Sequence, residues 1–77
     1  MATKDIDLTT DWKQVTDGTQ TVQIQPLNMT VWVRDSPTKP SANAKGHPLR
    51  AEQWLGITPP QQIWARTSGG TTTILVT

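Results

Sequence analysis

The side chains that could move a proton are few and scattered. His47 is the only histidine and Glu52 the only glutamate, and four of the five aspartates, Asp5, Asp7, Asp11 and Asp17, sit near the N-terminus or at turn-like positions. Acid–base catalysis needs two titratable groups whose surroundings push their pKa values apart, and no such pair is legible. With no cysteine there is no thiolate nucleophile, no disulfide framework and no thiolate metal site. Metal-ligand spacings, a glycine-rich phosphate loop before a helix, and a nucleophile elbow are all missing from the sequence. Asn28-Met29-Thr30 matches a glycosylation sequon, which matters only in a secreted chain. The sequence therefore predicts no catalytic, cofactor-binding or metal-binding residues and no enzyme.

The remaining chemistry belongs to tryptophan and arginine. Trp12, Trp32, Trp54 and Trp64 are the whole aromatic content, since Phe and Tyr are absent. Val31-Trp32-Val33-Arg34-Asp35-Ser36 is echoed by Ile63-Trp64-Ala65-Arg66-Thr67-Ser68, in the pattern apolar, Trp, apolar, Arg, polar, Ser. In an extended strand each Trp shares a face with the Arg two places on, opposite the smaller apolar residues. Indoles beside guanidinium forks stack on sugars or bases, or pack at subunit interfaces. Trp12 and Trp54 are expected in the core. Trp32 and Trp64 are expected either on a packed outer face or at an interface between copies.

These residues lie on segments that read as strands. Gln62 to Thr67 and Thr71 to Thr77 are rich in β-branched residues and flank Gly69-Gly70, which suits a two-residue hairpin turn. That register opposes Ile63 to Val76, Trp64 to Leu75, Ala65 to Ile74 and Arg66 to Thr73. A second hairpin is expected around Thr16-Asp17-Gly18, with Trp12 facing Val22 on the side of Ile24. Met29 to Asp35 reads as a strand with Met29, Val31 and Val33 on one face. His47 to Arg50 reads as an edge strand because Pro48 is tolerated there. Residues 51–56 read equally well as a turn or a strand. Residues 36–46 hold two prolines and no larger apolar side chain than alanine, giving a long loop of the kind that is functional or disordered. Its Lys39 and Lys45 are candidate contacts. Residues 1–10 show no period and are expected to be a flexible N-terminal arm, with residues 11–77 forming a single β domain. The fold expected is all-β: a small antiparallel β-sandwich or jelly-roll-like barrel of five to seven short strands.

A hairpin apolar on both sides needs two covers. The face expected to carry Trp32, Arg34, Trp64, Arg66 and Leu75 is thus an interface candidate, covered by a second copy or by the 36–46 loop folding back. At 77 residues the core is small, so association can supply part of the fold. The net charge of +1 is too balanced for a phosphate-gripping surface, which disfavours nucleic acid. It is unevenly spread: Asp5, Asp7, Asp11 and Asp17 outweigh Lys4 and Lys13, whereas Arg34, Lys39, Lys45, Arg50 and Arg66 outweigh Asp35 and Glu52. The N-terminus lacks a signal-peptide apolar region, and no apolar run approaches the ~20 residues of a membrane span.

The second half, with Gly46 leading to Leu49 and Trp54, then Pro59-Pro60, Ile63-Trp64-Ala65-Arg66 and Thr72-Thr73-Ile74-Leu75-Val76, resembles small all-β accessory proteins found among the virion genes of tailed bacteriophages. The likeness spans roughly residues 20–77 and is one of spacing and texture. It implies a structural role without an active site: a capsid decoration, cement or head-accessory subunit, or a tail-associated part. It also implies a homo-oligomer, a trimer as working stoichiometry, bound to other virion proteins after synthesis in the host bacterial cytoplasm. Two other classes stay open, a carbohydrate-binding module using Trp32 or Trp64 and a small β-barrel for single-stranded nucleic acid.

Overall fold

A computed structural model describes residues 3–77. Among them are eight strands and no helix: β1 (Lys4–Leu8), β2 (Lys13–Gln14), β3 (Val22–Pro26), β4 (Val31–Asp35), β5 (His47–Leu49), β6 (Leu55–Ile57), β7 (Ile63–Thr67) and β8 (Thr72–Val76). They form two four-stranded antiparallel sheets, ordered β1-β8-β3-β6 and β2-β7-β4-β5.

The pairing is nested. β1 pairs with β8, β2 with β7, β3 with β6 and β4 with β5. Lys4 opposes Val76, Lys13 opposes Ala65, Val22 opposes Ile57 and Val31 opposes Leu49, so the paired residue numbers always add to 78–80. The chain is one long hairpin with its tip in the 36–46 loop, rolled up so that β3 also meets β8 and β4 also meets β7. Every connection except that from β4 to β5 passes from one sheet to the other.

This topology overturns both expected tight hairpins. β7 and β8 lie in different sheets, as do β2 and β3, so Trp64 does not oppose Leu75 and Trp12 does not pair with Val22. The glycines still do what their turns require. Gly70 has φ +72° and Gly18 has φ +86°, a region that L-residues avoid. Positive φ serves a sheet-to-sheet corner as readily as an in-plane hairpin. The Thr67 hydroxyl closes the first corner on the Gly70 carbonyl at 2.8 Å. At the second, the Asp17 carboxylate accepts hydrogen bonds from the Thr19 amide and hydroxyl, an Asx turn.

The period-2 pattern decides what is buried. Ile63, Ala65 and Thr67 of β7, with Thr72, Ile74 and Val76 of β8, point between the sheets, as do Val31, Val33, Leu49, Ile24 and Ile57. The residues expected to share one face thus do share a core, but meet across the gap between sheets rather than side by side. The expected N-terminal arm is instead a strand: residues 4–8 form β1 on the edge of β8, and Leu8 is fully buried. Residues 1 and 2, also assigned to the arm, lie outside the described residues. The strand expected from Met29 begins at Val31, His47–Leu49 forms the edge strand, and Leu55–Ile57 of the undecided segment is a strand. Thr16 joins β2 to the start of β7: its hydroxyl donates to the Gln61 carbonyl (3.1 Å) and accepts from the Ile63 amide (3.0 Å).

Candidate functional site

The outer face of the β2-β7-β4-β5 sheet gathers four of the five interface candidates. β4 and β7 are antiparallel, so their echoed motifs meet reciprocally, Trp32 opposite Arg66 and Arg34 opposite Trp64. Trp12, just before β2, joins this layer, and the Arg66 guanidinium stacks over its ring at 4.5 Å from the centroid. Leu75 does not belong here. It lies on β8 in the other sheet, between Asp5 and Gln25 in register.

The cover of this face comes from the same chain. The 36–46 loop folds back over it, held by five side-chain hydrogen bonds to its carbonyls. Trp64 Nε1 donates to Ser36 (3.0 Å), Trp12 Nε1 to Ser41 (3.0 Å), Arg66 Nη1 to Ala42 (2.8 Å), Arg66 Nη2 to Ala44 (2.9 Å) and Arg34 Nη1 to Lys45 (2.8 Å). Pro40 is buried, and Trp12 is buried outside the inter-sheet core. Burying one indole contributes about 2–3 kcal/mol at about 25 cal/mol per Å², so the loop completes a second apolar layer. Of the two covers expected for Trp32 and Trp64, the loop occupies this place and leaves both half-buried. Small residues make the close approach possible. At Gly46 a Cβ would lie 2.9 Å from the Val33 carbonyl oxygen and 3.0 Å from Trp12 Cη2.

The two loop lysines differ. Lys39 Nζ pairs with the Asp11 carboxylate at 2.9 Å, clasping the loop to the segment before β2. That hydrogen bond, with a lesser contribution from the Arg66 charge, holds the Asp11 carboxyl below its ordinary range. Lys45 is exposed and, like Arg34 and Arg66, has no carboxylate in an ion pair among the described residues. Lys45 and Arg66 line a cleft of about 570 Å³ whose walls also include Trp32, Asn43, Thr10 and Ser68. An aromatic surface, a fixed guanidinium and small hydrogen-bonding groups therefore converge on one cavity. The echo signalled Trp32, Arg66 and Ser68, whereas Thr10 and Asn43 carried no signal in the sequence.

The opposite outer face is uncovered. Beside Leu75, Thr73 donates its hydroxyl to the Asp7 carboxylate at 2.8 Å. At the β6 end of this sheet Trp54, expected in the core, is 56% exposed, while its neighbour Leu55 opposes Ile24. Gly56 has open space where a side chain would be. His47 and Glu52 are both exposed. Among the described residues no three His, Asp or Glu side chains converge. No protein-family model, curated protein or solved structure matches this chain.

Proposed function

We propose that this chain is a non-catalytic structural subunit of a bacteriophage particle, of the capsid decoration or head-accessory kind that its sequence texture resembles. Its fold reads as an eight-stranded jelly roll, because the nested pairing rolls one long hairpin into two sheets, an architecture that capsid subunits and lectins both use. The observation that carries the reading is the contrast between the two outer faces. One sheet has its tryptophans covered by the chain's own loop, and at the edge of the other Trp54 is left 56% exposed while Leu75 on its outer face is half-buried. Exposed indoles are enriched at protein contacts.

The contact surface is therefore the outer face of β1-β8-β3-β6, in place of the one expected around Trp32 and Trp64. Copies associate through it, and the particle's other proteins receive the assembled oligomer. Sedimentation velocity across a concentration series tests this. The wild type sediments as an oligomer, and Trp54→Ser with Leu75→Ser gives a folded monomer, since neither side chain is in the inter-sheet core. A wild type that stays monomeric throughout refutes the reading.

A further inference from the structure

We infer that the cleft between the 36–46 loop and the outer face of the β2-β7-β4-β5 sheet binds an acidic sugar, a pyranose bearing a carboxylate, stacked on Trp32 and paired with Arg66 and Lys45. Arg66 is the reason for the charge. It is half-buried, two of its five N–H donors are committed to the Ala42 and Ala44 carbonyls, and no carboxylate pairs with it among the described residues. A partly desolvated guanidinium held by neutral carbonyls keeps its full charge, and its remaining donors suit the planar fork of a carboxylate. Asp11, the carboxyl on which the Arg66 charge acts, is already engaged by Lys39.

Trp32 is the reason for the ring. An indole offers an apolar plate on which the C–H face of a pyranose packs. Asn43, Thr10 and Ser68 then supply neutral partners for the sugar hydroxyls. The volume of about 570 Å³ lies within the usual range of small-molecule sites. Five hydrogen bonds already fix the loop wall, so binding orders little that was free. Single-stranded nucleic acid fits less well, because it needs successive stacking rings along a basic track. Here Trp12 is buried beneath Arg66 and Trp32 alone of the tryptophans lines the cleft, leaving one plate. The site lies on the sheet opposite the proposed contact face, so sugar binding and self-association are tested separately.

The test is an NMR titration of the 15N-labelled protein with a hyaluronan tetrasaccharide, alongside neutral cellotetraose and an oligothymidylate. Saturable shifts at the amides of residues 43–46 and 66–68 are expected with hyaluronan, and binding at least about tenfold weaker with cellotetraose. Lys45→Glu and Asn43→Asp each add acid at the mouth without removing any hydrogen bond that holds the loop. Each is expected to weaken hyaluronan binding at least about tenfold while leaving the melting temperature unchanged. Absence of shifts, equal binding of the neutral sugar, tighter binding of oligothymidylate, or indifference to both variants would each overturn the inference.

Discussion

Replacing glycine by alanine at three positions separates the roles that the rolled hairpin assigns to glycines. At Gly46 the new methyl would sit 2.9 Å from the Val33 carbonyl oxygen, 3.0 Å from Trp12 Cη2 and 3.1 Å from Trp32 Cβ. The first is backbone of a central strand and the others belong to packed indoles, so the loop itself must move outward by several tenths of an ångström. Overpacking of this kind costs about 1–3 kcal/mol. A domain of this length holds on the order of 4–12 kcal/mol, and each kcal/mol is worth about 4–8 °C, so Gly46→Ala should lower the melting temperature by about 5–20 °C. The displaced loop should also expose Trp12 and Trp64, shifting fluorescence to the red before unfolding. At Gly69 and Gly56 a methyl meets nothing within 4 Å. Neither glycine has a positive φ, so alanine there should be neutral or stabilise by up to about 1 kcal/mol through the unfolded chain. Thermal melts followed by near-ultraviolet circular dichroism measure all three. A Gly46→Ala variant within about 0.5 kcal/mol of wild type, or a Gly69→Ala variant as damaged as Gly46→Ala, would refute the account of the loop as a packed layer.

Two other outcomes follow from specific contacts. Thr16→Val removes the hydroxyl that bridges the Gln61 carbonyl and the Ile63 amide, so it should cost about 2–3 kcal/mol by urea denaturation, with Thr16→Ser recovering most of the loss. For the Asp11–Lys39 clasp the sign follows from a carboxyl pKa lowered in the folded state by the lysine hydrogen bond. Its stabilisation is fully present above the unfolded aspartate range, near pH 4, and is lost as pH falls through the folded value. Lys39→Ala should therefore lower stability slightly at neutral pH and leave it unchanged below the folded value, which flattens the acid limb, and an unaltered acid limb would show the clasp contributes nothing.

The alternation of apolar residues at 63, 65, 74 and 76 and at 31 and 33 determined which side of each strand is buried, because side chains alternate strictly along a strand wherever it pairs. The same logic made the Trp-x-Arg echo informative: Trp32, Arg34, Trp64 and Arg66 do share a face. Partner choice was not legible. Gly18 and Gly70 mark where the chain must turn with positive φ, but a short turn there leads either to a neighbour in the same sheet or to the sheet about 10 Å across the core. The nested ladders, spanning most of the chain between Lys4 and Val76, select the second. For that reason Leu75 left the tryptophan face and the supposed arm became a strand along β8. The loop was silent for a different reason. It is recognised by side chains donating to the carbonyls of Ser36, Ser41, Ala42, Ala44 and Lys45, and every residue type carries a carbonyl. A segment with almost no apolar side chains therefore read as a free connector, although its small residues are what allow its backbone to lie against three indoles and two guanidinium groups.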